Sequence, residues 1–156
     1  MITPDAPPAV TLLPVDAANW RAVAALTVSE PQRQWVADPA YYLALCHYGT
    51  AGWQPLAVTG PDGTVLGFLM WTVDPADSAA WLGGIIIDAA HQGHGLGRAA
   101  VRAAIDLLST RHGHRRFALS YEPANTAARH CYAAVGFTET GETEDTELVA
   151  RLDLPA

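Results

Sequence analysis

The order of strand-like and helix-like segments predicts an α/β fold built on one sheet of mixed strand direction. A strand is followed by helices, three strands, a helix, a strand, a helix and two strands. The last two helices each sit between strands, as crossover connections do. The 156 residues, of which 50% are hydrophobic, are enough for one core and too few for two ordinary domains. We therefore expect a flexible arm over residues 1–9 and one domain over residues 10–156.

The first third of the chain predicts a short strand and three short helices. Residues 10–13 are predicted as the strand, and Asp16 stands where it can cap a helix that continues to Leu26. Two further helical stretches follow Pro31 and Pro39, because proline is favoured at the first position of a helix. Two short helices in succession predict a mobile flap.

After the flap, the apolar residues follow the period that is typical of strands. Residues 56–59 and 65–73 flank a Pro-Asp-Gly turn and predict a hairpin. Residues 79–87 are almost wholly apolar, as in a strand buried on both faces, and the Gly83-Gly84 pair predicts a bulge or a close backbone approach. The remaining elements are predicted as a helix over 96–108, a strand over 117–121, a helix over 126–135 and two strands around an acidic turn over 137–154.

The composition excludes several kinds of partner. A net charge of -7 argues against nucleic acid, because phosphate binding needs clustered positive charge. The longest apolar runs, such as residues 82–87, are far shorter than the roughly 20 residues that cross a bilayer, so we expect no membrane. Cys46 and Cys131 lack metal-ligand spacing, and a reducing cytoplasm is the simplest setting. All nine basic residues are arginine, which excludes a catalytic lysine.

A glycine-rich turn directly after the buried strand carries the best chemical signal. Gly93, Gly95 and Gly97 stand at alternate positions where a helix begins. Backbone N–H groups can therefore converge on one point, and the positive end of the helix adds to them. A pyrophosphate fits that point, and no lysine is needed because the backbone supplies the donors.

Other interpretations of the turn are less consistent with the sequence. A dinucleotide-binding fingerprint needs an acidic residue about 20 positions further on, at the tip of a strand, whereas Asp106 falls within a helix. A P-loop needs a Gly-Lys-Ser/Thr run, which is absent. A plain strand-to-helix turn stays open. His91 and His94, like His112 and His114, lack a supporting carboxylate or cysteine cluster, so we expect no metal site.

A second motif combines a carboxamide and a phenol. Asn125 begins a predicted helix after a proline turn, Tyr132 lies two turns further along a similar face, and Gly136 ends the helix. The neighbouring Cys131 has no paired base at a known spacing, so an inert thiol is favoured over a covalent acyl-enzyme.

Together, the two motifs resemble those of the GCN5-related N-acetyltransferase superfamily. The match is carried by Gln92-x-x-Gly95-x-Gly97 and by Asn125-x-x-Ala128-x-x-x-Tyr132-x-x-x-Gly136-Phe137. The first half of the chain also resembles bacterial spermine/spermidine acetyltransferases, through Val28-x-Glu30-x-Gln32-x-x-Trp35-Val36-Ala37, Pro55-Leu56-Ala57-Val58, Gly67-Phe68-Leu69-Met70 and Leu119-Ser120-Tyr121-Glu122-Pro123. The resemblance implies a single-domain, mixed, mostly antiparallel twisted sheet flanked by helices.

The resemblance also implies a donor and the residues that bind it. The donor is acetyl-CoA, with its pyrophosphate at the glycine-rich turn, its pantetheine arm along the preceding strand, and a hydrogen bond from Asn125. The implied cofactor-binding set is Ile85, Ile86, Ile87, Gln92, Gly93, His94, Gly95, Leu96, Gly97, Arg98, Asn125 and Ala128. Tyr132 is expected to protonate the departing thiolate.

The reaction also needs a base, because an alkylammonium of pKa about 10.4 is mostly charged at pH 7, a handicap of roughly 4 to 5 kcal/mol. The superfamily often has a carboxylate on the strand before the turn, and residues 81–87 have none. Glu122 is the first candidate, acting through water, and Glu30 on the flap is the second. Asp88 is expected to shape the turn, and backbone N–H groups near Gly83 to stabilise the oxyanion.

The acceptor is expected to be a small cationic amine, with a polyamine as the leading case. Five carboxylates near the final hairpin could steer a polycation, or could be a solvated hairpin tip: Glu139, Glu142, Glu144, Asp145 and Glu147. An antibiotic, a protein N-terminus and a non-catalytic acyl-CoA-binding module stay open as alternatives. A homodimer is also possible.

Overall fold

The computed structural model describes residues 8–156, so most of the predicted arm lies outside the described residues. Seven strands form one sheet in the order β1-β2-β3-β4-β5-β7-β6. All neighbours are antiparallel except β4 and β5, which confirms the predicted mixed, mostly antiparallel sheet. The strands are β1 Thr11–Pro14, β2 Gln54–Thr59, β3 Val65–Val73, β4 Ala80–Ile87, β5 Arg116–Tyr121, β6 Thr138–Glu144 and β7 Glu147–Asp153.

The helices cover the two faces of the sheet. They are α1 Trp20–Ala24, α2 Pro39–Tyr48, α3 Leu96–His112 and α4 Thr126–Val135, with 3-10 turns at Glu30–Gln34 and Ala89–His91. The crossover from β4 to its parallel neighbour β5 is made by α3, as expected. The connection through α4 leads to β6, which is separated from β5 by β7. None of the helices in residues 8–156 is both long and apolar enough to cross a bilayer.

The first helix differs from its prediction. The carboxylate of Asp16 accepts hydrogen bonds from the N–H groups of Ala18 and Asn19 at 2.8 and 3.1 Å, and so closes a turn before the helix. The N-cap is Asn19, and α1 ends at Ala24. The prediction that Asp16 caps a helix reaching Leu26 is therefore wrong, because aspartate can hydrogen-bond to nearby backbone in a turn as well as at a helix start.

The flap comprises residues 30–45 and contains one helix fewer than predicted. The stretch around Pro31 is a 3-10 turn that begins at Glu30 and ends at Gln34, before Trp35. Its entry is held by the N–H of Ser29, which donates to Oε1 of Gln32 at 3.2 Å. The following helix α2 starts at Pro39, as predicted.

Side chains that alternate along the strands build one core on each face of the sheet. Leu56 and Val58 face α3, while the intervening Ala57 faces α1 and α2. The core against α3 includes Val101, Ala104, Leu108, Phe117 and Leu119, and the core on the other face includes Val23, Leu26, Phe68, Met70 and Ile86.

The predicted bulge is present in β4. Phe68 pairs with Ile86 and Met70 pairs with Gly83, so one residue of β3 faces two residues of β4. Gly84 has a φ of +58°, a conformation that costs most other residues about 1 to 2 kcal/mol. The bulge therefore requires glycine at this position, as the Gly-Gly pair predicted.

Gly84→Ala is expected to destabilise the fold more than Gly63→Ala. A Cβ at Gly84 would lie 3.2 Å from Phe68 and 3.4 Å from Met70 and Tyr42, whereas a Cβ at Gly63, where φ is +83°, has nothing within 4 Å. Gly63→Ala should cost about 1 kcal/mol from backbone strain, and Gly84→Ala about 1 kcal/mol more from crowding. Urea unfolding measures the free energy of unfolding of both variants. Equal losses would show that the residues around Gly84 move to accommodate the added Cβ.

The parallel strands β4 and β5 separate after a short contact. Only Ala80 with Phe117 and Trp81 with Ala118 pair between them. Residues 82–87 of β4 therefore present a free backbone edge on the β5 side. This fork in the sheet leads directly into a cavity that residues 82–87 line.

Candidate active site

A cavity of about 1510 Å³ opens at the fork between β4 and β5. Its lining comes from β4, the glycine-rich turn, α4, the flap and the final hairpin. It brings together most of the predicted site residues: Ile85, Ile86, Ile87, Gln92, Gly93, Gly95, Leu96, Gly97, Arg98, Glu122, Asn125, Ala128 and Tyr132. His94 and Glu30 are exposed and are not in the lining.

The glycine-rich turn has the geometry that an anion requires. Gly95 is the residue before α3, with φ of +78°, and a Cβ there would meet nothing nearer than Pro8 at 3.8 Å. The helix has no capping side chain, so its first N–H groups lack a side-chain acceptor. Arg98 in the first turn also lines the cavity. The residues present therefore fit a pyrophosphate.

Gln92 links the turn to the flap. Its Nε2 donates to Oε1 of Gln32 and to the carbonyl of Ile87, both at 2.8 Å. These contacts use both amide protons, so a bound molecule would meet the Gln92 carbonyl oxygen. Asp88 makes a second link: its Oδ1 accepts from the N–H of Thr27 at 3.0 Å. Gln92 and Asp88 therefore hold the N-terminal part of the flap and the residues just before it against the glycine-rich turn.

The second motif folds as predicted. Asn125 is the N-cap of α4, and its Oδ1 accepts from the N–H of Ala128 at 3.3 Å. The Asn125 amide group keeps its two protons for a ligand. One helical turn after Ala128, the ring of Tyr132 lies 5.5 Å from that of Tyr121 and 6.4 Å from that of Phe137. Asn125 and Tyr132 therefore share one cavity wall.

The phenol of Tyr132 is held in its protonated form. Burial raises its pKa, and the neighbouring Cys131, Glu147, Tyr121 and Tyr42 raise it further. A neutral phenol can donate a proton, which is what a departing thiolate needs. Burial also raises the pKa of the adjacent Cys131 thiol, more than Arg98 and Arg102 lower it. That thiol is therefore a poor nucleophile.

Two of the five hairpin carboxylates are neutralised by arginine. Glu139 binds Arg129 through two bonds of 2.6 and 3.0 Å and lies outside the cavity lining, so it adds no free charge to the cavity. Glu142 binds Arg151 through bonds of 2.9 and 3.0 Å. Arg151 also binds Asp77 at 2.9 Å.

The other three hairpin carboxylates, Glu144, Asp145 and Glu147, line the cavity together with Glu122. Oε1 of Glu122 accepts a hydrogen bond from the hydroxyl of Thr146, and Oε1 of Glu147 accepts one from Ser120 at 3.4 Å. Among the described residues, the arginine ion pairs involve other carboxylates. This part of the cavity, the acidic end, therefore carries uncompensated negative charge.

Within the acidic end, the charged form of Glu147 is disfavoured. Burial raises the pKa of this partly buried carboxyl, and the charges of Glu122, Glu144 and Asp145 raise it further. Sequence reasoning included Glu147 in the acidic cluster without distinguishing it from its neighbours. Its burial depends on β7 lying between β5 and β6, which no local pattern predicts.

Aromatic residues that were not predicted as site residues also line the cavity: Trp35, Tyr42, Trp53 and Trp81. The Tyr42 hydroxyl accepts from the N–H of Ala37 at 3.0 Å, and its ring stacks on Phe68 at 6.0 Å. Trp53 lies so close to Gly83 that a Cβ there would be 3.1 Å from the indole. These rings provide faces that an alkylammonium can approach.

The histidines of the chain do not gather into a metal site within residues 8–156, which contain no group of three or more potential ligands from His, Cys, Asp and Glu. His112 and His114 instead pack against Trp71, with ring centroids 5.2 and 5.8 Å from it. Trp71 belongs to the side of the sheet that faces α3.

Two comparisons of the sequence with known proteins agree with the acetyltransferase resemblance described above. The profile of the acetyltransferase (GNAT) family matches residues 20–137. The spermine/spermidine N(1)-acetyltransferase of Bacillus subtilis (strain 168) is 28% identical over 135 residues, which are 81% of this chain and 86% of that protein.

Solved structures share the fold over nearly the whole chain. The spermidine N-acetyltransferase from Vibrio cholerae, solved with CoA and spermine, has a TM-score of 0.70 at 20% identity, covering 92% of this chain and 93% of its own. Aminoglycoside acetyltransferase AAC(6')-Ib, solved with coenzyme A, has a TM-score of 0.74 at 18% identity, covering 93% and 95%. Because the family profile spans most of the sequence, the chain belongs to the acetyltransferase (GNAT) family, whose members are acetyl-CoA-dependent N-acetyltransferases.

Proposed function

We propose that the protein acetylates a primary amine of a small cationic molecule, with a polyamine as the leading acceptor. The observation that carries this proposal is the acidic end of the cavity, where Glu122, Glu144, Asp145 and Glu147 have no arginine partner within residues 8–156. Four carboxylates without a counter-charge attract a polycation and repel an anion. The similar protein from Bacillus subtilis, a spermine/spermidine acetyltransferase, supports a polyamine over other cations.

In this proposal, the donor lies along the fork. The free edge of β4 at Ile85, Ile86 and Ile87 pairs with the pantetheine arm, and the amide of Asn125 donates to that arm. The turn at residues 93–98 holds the pyrophosphate through backbone N–H groups, with Arg98 beside it. Ala128 and the carbonyl of Gln92 border the same path. The side chain of His94 is exposed and lies outside the lining, so in this scheme His94 contributes only its backbone to the turn.

The reaction needs one proton donated to the sulfur and one taken from the acceptor ammonium, and Tyr132 and the acidic end provide these two transfers. Tyr132 donates its proton to the sulfur as the thioester bond breaks, because its phenol stays protonated at neutral pH. Glu122, the first candidate for the base from the sequence, lines the cavity and meets the ammonium group of the acceptor together with the other carboxylates of the acidic end. Glu30 is exposed outside the cavity lining, so it is replaced as a candidate base by a carboxylate of the acidic end.

Two other acceptors deserve comparison with the polyamine. An aminoglycoside is also a polycation, and AAC(6')-Ib shares the fold. The cavity volume of about 1510 Å³ suits a larger acceptor as well as a slender one. A protein N-terminus carries a single ammonium group, so it would interact with only part of the negative charge of the acidic end.

Polycations are expected to be the best acceptors, with an efficiency that depends on salt. At low salt, kcat/KM for spermidine should exceed that for a monoamine of similar length by at least about 10-fold. The reason is that the four carboxylates attract every ammonium group of spermidine, whereas a monoamine has only one. The advantage should shrink at high salt, since the Debye length falls from about 10 Å at 0.1 M to about 3 Å at 1 M. Thiol release from acetyl-CoA measures both.

Spermine, kanamycin and a peptide N-terminus complete the panel. A higher efficiency for kanamycin than for the polyamines would make an aminoglycoside the leading acceptor. The proposal that the acceptor is a cation would still hold. Equal efficiency for neutral and cationic amines, without salt dependence, would contradict the proposal while leaving the acetyltransferase activity in place. The homodimer stays a prediction, which light scattering on the purified protein would test.

A further inference from the structure

The reaction needs a group that takes a proton from the acceptor ammonium, and several cavity carboxylates are unsuited to this. The Asp77 and Glu142 carboxylates both bind the guanidinium of Arg151. Hydrogen bonds from Arg151 lower the pKa of Glu142, and a carboxylate stabilised in its charged form is a weak base. Asp74, which also lines the cavity, accepts a hydrogen bond from the N–H of Ala76 at 2.9 Å within a local turn. The remaining candidates are the four carboxylates of the acidic end.

Glu147 differs from the other three by its position in the sheet. It is the first residue of β7, the strand between β5 and β6. Like Glu122 it is partly buried, whereas Glu144 and Asp145 at the tip of the hairpin are exposed. Its carboxylate is oriented by the hydroxyl of Ser120 on β5. Glu122 is instead held by the Thr146 hydroxyl in the connection between β6 and β7.

The groups around Glu147 come from every element packed against it. Glu122 faces it from the end of β5, Glu144 from β6 and Asp145 from the turn. Its charge in turn raises the pKa of Tyr42 on α2 and of Tyr132 on α4. No arginine is among the groups that perturb it.

We propose that Glu147 is the catalytic base, which accepts the proton of the acceptor ammonium in the same cavity where Tyr132 faces the thioester. Glu147 acts in this way only if the proposed function holds, since the acceptor must arrive as a cation. The three neighbouring carboxylates keep Glu147 ready to take a proton, because they disfavour its charged form. A carboxyl with a raised pKa is better matched to proton transfer near neutral pH than an ordinary glutamate.

The steps balance as follows. The ammonium gives one proton to the Glu147 carboxylate, and the neutral amine forms a bond from nitrogen to the thioester carbonyl carbon. The carbon-sulfur bond breaks, the sulfur takes the proton of Tyr132, and the remaining excess proton on nitrogen passes to the Tyr132 oxygen. The products are an amide, a thiol and one proton on Glu147, which is released to solvent.

The test compares Glu147→Gln with Glu139→Gln, using the same acceptor. Both residues belong to the final hairpin, so each variant removes one negative charge from it, but Glu139 is paired with Arg129 and lies outside the cavity lining. We expect Glu147→Gln to lower kcat about 10²-fold, in the range of general base catalysis, and Glu139→Gln to change kcat less than about 3-fold. Acetyl-CoA affinity by calorimetry should be unchanged in both variants.

The pH profile separates a base from a steering charge. The loss in Glu147→Gln should shrink about tenfold for each pH unit above neutrality, because the free neutral amine becomes more abundant in solution. Glu147→Asp should recover part of the rate. A loss that is the same at every pH, or equal losses in Glu147→Gln and Glu139→Gln, would overturn the assignment.

Folding and acceptor choice are checked independently. Removing a charge that is crowded by like charges should leave the melting temperature of Glu147→Gln unchanged or higher, so a large drop would mark the residue as structural and overturn the assignment. The comparison can be made with any primary amine that the protein acetylates. A protein that prefers neutral acceptors would contradict the proposed function, whereas a fully active Glu147→Gln would contradict only the role of Glu147.

Discussion

Tyr132→Phe is expected to lower kcat on the order of 10³-fold while leaving the acetyl-CoA dissociation constant within about twofold of its original value. The phenol is protonated because burial and its acidic neighbours raise its pKa, and its proton matters only when the thiolate departs. An interaction made only in the transition state affects turnover and not binding. Steady-state kinetics and calorimetry, run on the same preparation, measure the two quantities.

Tyr121→Phe is the matched control for this prediction. Tyr121 also lines the cavity, 5.5 Å from Tyr132, but its hydroxyl donates to Glu139 at 2.8 Å and is not available to the donor. Its removal should change kcat by no more than a few fold. If Tyr132→Phe weakened binding as much as turnover, Tyr132 would be a packing residue of α4 and not the proton donor.

Gly95→Val is expected to abolish measurable acetyl-CoA binding, with an affinity loss of at least about 100-fold. Gly95 has a φ of +78°, which a β-branched residue adopts only as an outlier. The turn must therefore rearrange, which moves the N–H groups at the start of α3 away from the pyrophosphate. The space around the added Cβ is open, so the loss comes from backbone geometry and not from crowding within the protein.

Gly113→Val provides the control at the other end of the same helix. Gly113 follows α3 with a φ of +72°, and nothing lies within 4 Å of its added Cβ. This variant imposes a similar backbone strain at a distance from the cavity lining. It should lose stability without losing affinity, as measured by circular dichroism and calorimetry. Normal binding by Gly95→Val would remove the turn from the proposed donor site.

The second half of the fold was predictable because local signals agree there. The Pro-Asp-Gly turn, the Gly-Gly bulge and the motif from Asn125 to Gly136 each act within a few residues, and α4 has the predicted bounds. In the first third, helices of five residues or fewer depend on tertiary packing for most of their stability. That is why the local signal at Asp16 gave a turn, and why the stretch at Pro31 is a single 3-10 turn.

The donor part of the candidate site could be predicted for a similar reason, since backbone N–H groups and glycines form it within one segment. The acceptor part could not. Which carboxylates stay unpaired depends on Arg151 of β7 reaching both Glu142 and Asp77, and on Arg129 of α4 reaching Glu139. Such choices between distant partners follow from the position of β7 inside the sheet, which the sequence order of the strands does not reveal.

The fork in the sheet has a consequence for the lifetime of the enzyme. With only two residue pairs joining β4 to β5, the backbone of residues 82–87 lacks a neighbour on one side, and a bound acyl donor would take the place of a missing strand. A ligand that binds only the folded chain stabilises it, by about 2.7 kcal/mol at a concentration of 100 times its Kd. The supply of donor would then govern how often the chain opens to proteases, so that a cell short of acetyl-CoA loses the protein itself as well as its activity.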